Sequence, residues 1–422
     1  MDMDNNAKKQ AVVIGGGIVG ACCAWSLQRD GHQVTLVDPA QPGDSTAKWS
    51  CGQMAVSEIV PLSKPGIIKK IPSWLCDSTG PLALRPSAVA SLTPWFLRFI
   101  ACARPARVEQ IAGELASLTR HVYTDYAPLI EASEAKTGRK LFREHGVIEV
   151  FDSAADLEAE RVHFDVRRRH GFEVEEMNAE AIAEAEPALA GRFRHGLRLG
   201  DWKAVSDTEG FIQAMTQSVL DMGGERITAP VRAIDTQGGR AIGVTLEGGQ
   251  KLAADTVVVA AGNGSRHFFE TLGVRIPLMG ITGYQALLPR PGVEFNHSII
   301  YANGGFCLAP MTRGLQIGGT IEFAAADAKP NYKRADIILD KARALVPELD
   351  DSGFEYGVGR RPFLPDTKPV IDRCRKLPNV LMAFGHGQLG LTLGATTGRL
   401  IAELARGAAP SQDLTPFSAY RF

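Results

Sequence analysis

Residues 11–38 read AVVIGGGIVGACCAWSLQRDGHQVTLVD. The opening AVVI is a short β-branched run suited to a strand buried in a parallel sheet. Gly15, Gly17 and Gly20 then occupy the positions of a G-x-G-x-x-G turn. Such a turn serves a tight bend, a close approach of backbone to a pyrophosphate, and close packing of helix on strand. Ile18 to Arg29 has helical propensity and Gly31 is a plausible stop. QVTLVD is a second strand, and Asp38 at its end is placed to accept hydrogen bonds from a ribose. Strand, glycine turn, helix, strand and acid together predict a dinucleotide-binding unit, without choosing between NAD and FAD. Cys22 and Cys23 fall inside the helix and are read as packing residues.

The composition of the whole chain is that of a soluble globular protein. Its 422 residues, 45% hydrophobic and 22% charged, suffice for two or three domains. The formal net charge is -1, and no basic run interleaved with aromatics points to nucleic acid. The seven cysteines, at 22, 23, 51, 76, 102, 307 and 374, form no CxxC pair and no zinc-type cluster. They imply reduced thiols and a cytoplasmic protein. Lys8-Lys9 before an apolar run resembles a signal segment, but glycines stand where one would carry leucine. LTPWFLRFIACA, residues 92–103, is too short to span a membrane. It reads as a buried helix or as a helix lying on a membrane surface.

Two further stretches echo the nucleotide logic. DTEGFIQAMTQSVLDMGG is an amphipathic helix, followed by alternating segments and by DTVVVAAGNGS, an apolar strand ending in a turn of small residues. Near the end, FGHGQLGLTLGATTGRLIAEL (384–404) makes a second glycine turn, at Gly385, Gly387 and Gly390, before a helix. The segments IPLMGITGYQALLP, SIIYANGGFCLAP and GLQIGGTIEF predict an antiparallel sheet able to wall a pocket. EYGVGRRPFLPDTKPVID (355–372) places two arginines before a proline.

In this order, the fingerprint, helix, β-meander, VVVAAG strand and final GHG helix resemble the FAD-dependent D-amino-acid oxidase superfamily. The likeness covers nearly the whole chain and is greatest to its bacterial D-amino-acid and D-hydroxyproline dehydrogenases. It implies an α/β fold: a Rossmann-like FAD-binding domain joined to an α+β substrate domain built on an antiparallel sheet. The expected division is 1–90, 200–275 and 356–422 for FAD, with 91–199 and 276–355 for substrate. The resemblance places FAD against Gly15, Gly17, Ile18, Val19, Gly20 and Asp38. It adds Ser45, Thr46, Ser50, Gly52 and Gln53 from the following loop, the backbone of Val231, and Ala261 and Gly262. The C-terminal turn contributes Gly385, Gly387, Gln388, Leu389 and Gly390, its helix aiming a positive end at the flavin. Gln388 replaces the second histidine that many dehydrogenase relatives carry.

For the substrate, the resemblance points to Arg361 as the carboxylate-binding residue, a task suited to a planar, permanently charged fork. Neighbouring strand residues face opposite ways, so Arg360 and Arg361 cannot both serve. Tyr284 and Tyr301 match substrate-facing aromatics of the family, and His386 is a candidate for tuning the amine or the flavin. Cys51 has no neighbouring base in the sequence and reads as packing. The implied reaction moves a hydride from the α-carbon of an amino acid to FAD, giving an imine and then a 2-oxo acid, with a quinone or other acceptor for the electrons. Cyclic or N-alkyl amino acids, such as hydroxyproline, proline or sarcosine, fit the same motifs. An NAD-linked dehydrogenase and an FAD-carrying subunit of an electron-transfer complex are the competing readings. A metal is not expected, since the nine histidines do not cluster.

Overall fold

The computed structural model describes residues 8–64, 80, 82–144, 146–325 and 328–422; Cys76 lies outside them. The strand Gln10–Ile14 is the centre from which the fold is built. It pairs in parallel with Gln33–Val37 on one side and Thr256–Val259 on the other. Glu225–Ile227 and Val380–Phe384 extend the parallel sheet, and Val370–Arg373 adds an antiparallel edge, giving six strands.

The central strand is apolar throughout because both of its faces are covered. Ala11 and Val13 enter a core with the helix Ile18–Arg29 and the C-terminal helix Gly390–Ala405. Val12 and Ile14 point the other way, against Ile234 and Val244 of a three-stranded antiparallel meander. The run that superficially resembles a signal segment is therefore strand, turn and helix of this layer.

A second sheet of nine strands stands beside it. Its order is Glu355–Phe363, Met279–Leu288, Gly314–Phe323, Phe306–Met311, Ser298–Tyr301, Val147–Phe151, His195–Leu199 and Glu175–Met177, with Leu82–Leu84 alongside Gly314–Phe323. The sheet is mostly antiparallel, as expected, with two parallel pairs, at Ser298–Tyr301 against Val147–Phe151 and at Leu82–Leu84. The layers depart from the expected segment limits in three places. The second sheet takes in Leu82–Leu84 and runs on to Phe363. The helices Pro105–Thr119 and Val122–Thr137 pack in the core of the first sheet.

The apolar stretch at 92–103 lies mainly in the helix Val89–Ala101. Trp95 stacks on Phe99 with ring centroids 5.2 Å apart, and both are buried against Phe323 and Phe363. Of its large apolar residues only Val89 and Leu97 are exposed. Among the described residues, no helix is long and apolar enough to cross a membrane.

Candidate active site

The first glycine turn and the C-terminal glycine turn meet at one site. Gly15 has φ +106, and a Cβ on it would lie 2.5 Å from the Ala260 carbonyl oxygen, so only glycine lets the turn press against the neighbouring strand. Gly20 faces inward: its Cβ would lie 1.7 Å from the Gly15 oxygen, so this residue seats helix on strand. Gly17 is the N-cap of the helix Ile18–Arg29, and no side chain caps it. The first N–H groups of this helix thus remain available to an anion. Asp38 is held by the backbone: Gly16 N–H donates to Oδ2 at 2.6 Å and Ala40 N–H to Oδ1 at 2.7 Å.

The C-terminal helix Gly390–Ala405 reaches the same place by lying across the first helix. A Cβ on Gly398 would lie 2.5 Å from the Cys22 carbonyl oxygen, and one on Gly394 3.1 Å from Cys22 Sγ. Tyr126 donates to the Leu391 carbonyl at 2.7 Å and ties down the start of the helix. Its N-cap, Leu389, is buried and also lacks a side-chain cap. Two helix N-termini are therefore turned toward one cavity.

That cavity has a volume of about 570 Å³. Gly15, Gly17, Ile18, Val19 and Asp38 line one part of it, and Val231, Ala261 and Gly262 line its flank. Ser45, Thr46 and Ser50 come from the loop after the second strand, and Gly385, His386, Gly387, Gln388 and Gly390 from the C-terminal turn. Four of the expected cofactor residues do not line it. Gly20 and Leu389 are packing residues. Gly52 has φ +68 and donates no surface; its carbonyl accepts from Val205 N–H at 2.7 Å. Gln53 faces a second cavity.

The lining also contains two groups that sequence reasoning did not single out, Asn263 and Gln285. Their Oδ1 and Oε1 atoms, like Oγ of the expected Ser45, are buried and have no hydrogen-bond partner in the protein. Buried polar atoms without partners are costly and mark where a polar ligand belongs. With two uncapped helix ends and an acid at the far strand, this donor set fits an extended dinucleotide such as FAD. Gly17 and the residues after it would hold the pyrophosphate, Asp38 a ribose, and the Gly385–Gly390 turn the flavin.

A second cavity of about 580 Å³ adjoins the first. Arg361 lines both. Burial pulls its pKa below the usual value, but a guanidinium of this basicity stays charged. Among the described residues no carboxylate forms an ion pair with it. Room for it comes from Gly283 on the adjacent strand, where a Cβ would lie 2.2 Å from Arg361 Nη1. Arg360 turns the opposite way: its Nη2 donates to the Ala328 carbonyl at 2.5 Å, and its own carbonyl accepts from Asn263 Nδ2 at 2.8 Å.

The remaining walls are apolar for most of their extent, with Leu62, Leu82, Leu84, Phe96, Phe99, Ile100, Ile321, Phe323 and Phe363. Ser50, Arg361 and Gln388 are shared with the first cavity, and Gln53 and Glu58 are further polar groups of the second. Glu58 is occupied by Arg167, at 2.7 Å.

The two tyrosines expected here lie elsewhere. Tyr284 is fully buried on the other face of its strand; its hydroxyl donates to Glu322 at 2.7 Å and accepts from Asn331 N–H. Its neighbours Gly283 and Gln285 are the residues that face the site. Tyr301 donates to Asp152 at 2.7 Å and packs on Phe193 and Phe306, while Ile300, one residue earlier, lines the cavity. In both cases the strand presents the adjacent position, because side chains alternate between faces. His386 does line the first cavity, but it is buried and bonded through Nε2 to Thr397 Oγ1 at 2.9 Å. Burial lowers its pKa to about 3, so it stands neutral near pH 7 and is too weak a base to deprotonate an ammonium.

Comparison with known proteins agrees with this architecture. The chain is 31% identical to a D-amino-acid oxidase of Bradyrhizobium diazoefficiens, over 98% of this chain and 99% of that protein. It is 30% identical to a D-amino acid dehydrogenase of Dechloromonas aromatica, over 97% and 99%. Among solved structures, glycine oxidase from Geobacillus kaustophilus shares the fold with a TM-score of 0.76 at 18% identity, covering 98% of this chain and 100% of that one. L-proline dehydrogenase from P. horikoshii does so with a TM-score of 0.71 at 18% identity, covering 98% of each chain. Residues 10–404 match the family model of the FAD dependent oxidoreductases, and the chain belongs to that family.

Proposed function

We propose that this protein oxidises the carbon–nitrogen bond of a D-amino acid with an apolar side chain, acting as a dehydrogenase. The observation that carries this reading is the position of Arg361, a guanidinium without a carboxylate partner where a dinucleotide cavity meets an apolar one. When bound, FAD supplies the hydride acceptor.

Arg361 would hold the substrate carboxylate by two parallel hydrogen bonds, and so fix which face of the α-carbon is offered. The apolar walls would take the side chain and exclude water from the reacting end. Neither carboxylate nor imidazole at this end is free to act as a strong base: His386 is neutral and Glu58 is engaged by Arg167. The amine would therefore bind in its uncharged form. Water then hydrolyses the released imine to a 2-oxo acid and ammonium. The D configuration rests on the names of the two relatives near 30% identity.

A quinone is the proposed electron acceptor, reached at a membrane surface by peripheral contact. Val89 and Leu97, the exposed apolar residues of their helix, would take part. Liposome binding together with slow peroxide release is the expected result; fast peroxide release without liposome binding would favour oxygen instead.

The direct test is an anaerobic panel of D-, L-, cyclic and N-methyl amino acids, read by bleaching of the bound flavin. Bleaching by D-phenylalanine or D-leucine, and not by their L-isomers, is expected. A preparation that carries flavin and is bleached by no amino acid would overturn the reading.

A further inference from the structure

Two cysteines far apart in the chain face the second cavity together. Cys51 comes from the loop that also lines the cofactor cavity, and Cys307 from the strand Phe306–Met311 of the second sheet. Both thiols are free, and each shifts the ionisation of the other. Gln53 Nε2 donates to Cys307 Sγ at 3.0 Å. On the adjoining strand, Gly318 is the register partner of Cys307, and a Cβ on it would lie 2.8 Å from Cys51 Sγ. The missing side chain of Gly318 is thus the space that Cys51 occupies beside its partner.

The two sulfurs are not equivalent. The hydrogen bond from Cys307 and the nearby Arg361 guanidinium favour the Cys51 thiolate and, against burial, lower its pKa. The Cys307 thiol is pushed well up, first by donating that hydrogen bond and then by burial. One thiol prone to ionise beside one that keeps its proton is the division between an attacking and a resolving cysteine. The other described cysteines, Cys22, Cys23, Cys102 and Cys374, are buried and line neither cavity.

We propose that Cys51 and Cys307 form a peroxide-oxidisable dithiol whose disulfide latches the cofactor loop to the substrate sheet. The oxidant is hydrogen peroxide. The Cys51 thiolate attacks one peroxide oxygen, the O–O bond breaks, and Cys51 becomes a sulfenic acid as hydroxide leaves. Cys307 then attacks the Cys51 sulfur, the S–O bond breaks, and the second oxygen leaves as water once protonated. In sum, two thiols and one peroxide give one disulfide and two waters. Cys51 Sγ lies against Gly318 and Cys307 is the strand partner of that glycine, so closure requires the two sulfurs to draw together to about 2.05 Å. The new bond would fix the Ser50–Gln53 loop against Phe306–Met311, across the entrance from one cavity to the other, and would withdraw the thiolate from Arg361.

The test uses the FAD-loaded protein, reduced beforehand and freed of reductant. After exposure to hydrogen peroxide, alkylation of remaining thiols and digestion, a linked Cys51–Cys307 peptide is expected, about 2 Da lighter than the sum of its reduced parts. Flavin reduction by substrate should slow about tenfold and return with dithiothreitol. In Cys307→Ser, Cys51 should stop at the sulfenic acid and be trapped by dimedone. In Cys51→Ser, Cys307 should stay alkylatable, with the flavin spectrum showing that the variant is folded. Recovery of both wild-type peptides fully alkylated after peroxide would overturn the proposal. So would equal oxidation of Cys307 in the Cys51→Ser protein. Neither result depends on which substrate the enzyme takes.

Discussion

Gly398 lies directly on the backbone of Cys22: a side-chain carbon at Gly398 would come within 2.5 Å of the Cys22 carbonyl oxygen. This contact sets the crossing of the two glycine-led helices and hence the convergence of their N-termini on one cavity. Gly398→Val is expected to force the helices apart at a cost of about 1–3 kcal/mol. Thermal melting should record a lower midpoint, and FAD titration a weaker affinity. Unchanged flavin affinity in a destabilised protein would show that the crossing does not position the site.

Arg361 gives the sharpest functional prediction. Removing a buried charge that binds an oppositely charged partner costs about 2–5 kcal/mol, so Arg361→Ala should lower kcat/KM roughly 30-fold or more. Flavin content should remain normal, and Arg361→Lys should recover part of the loss without restoring the two-point grip. The readout is steady-state kinetics beside the visible spectrum; wild-type KM in Arg361→Ala would remove the residue from this role.

The apolar cavity predicts how specificity can be moved. Ile321→Asp sets a carboxylate among Leu82, Leu84 and the phenylalanine rings. The ratio of kcat/KM for D-phenylalanine over D-lysine should fall by about tenfold, given what an unpaired buried charge costs. An unaltered ratio in a variant that retains flavin would show that side chains bind elsewhere.

His386 contributes a pH dependence of stability with a defined sign. Its folded pKa, about 3, lies below its unfolded value near 6.5. Between these values the unfolded chain binds one more proton than the folded chain. The stability from burying the neutral ring is therefore whole above about pH 6.5 and declines as pH falls toward 3, by a few kcal/mol in all. Denaturation in urea at a series of pH values should show this slope, and His386→Asn should flatten it.

Without a strong base at the reacting end, the ionisation of the substrate should govern the rate. We expect kcat/KM to rise with pH until the substrate amine loses its proton, with no plateau near neutrality. A plateau below pH 8 would point to a basic group in the site.

Some of this site was legible residue by residue. Gly15 and Gly385 sit at positive φ in turns whose geometry tolerates little else, so the glycine pattern marked the cofactor cavity before any contact was known. The resemblance of the RRP motif to the family's carboxylate-binding turn likewise pointed to Arg361, and strand alternation said only that Arg360 and Arg361 cannot both face the pocket. Tyr284 and Tyr301 were not legible in this way. The strand Met279–Leu288 is buried on both faces along nearly all its length, so its sequence carries no alternation from which a facing residue can be read. Gly283 was the available signal, since glycine within a strand marks a close approach. It is the arginine fork that approaches.

By itself, the sequence determined the local units: the strand–turn–helix start, the meander, the second glycine-led helix, and the family to which their order belongs. The units follow from periodicity and from backbone demands that only particular residues meet, and the family from the resemblance of their order to known sequences. The tertiary structure alone decided which strand faces look into the cavities. It also brought Cys51 to Cys307, and it set the ionisation of His386 through burial. Those depend on register, crossing and desolvation among segments hundreds of residues apart, and nearest-neighbour patterning does not encode them.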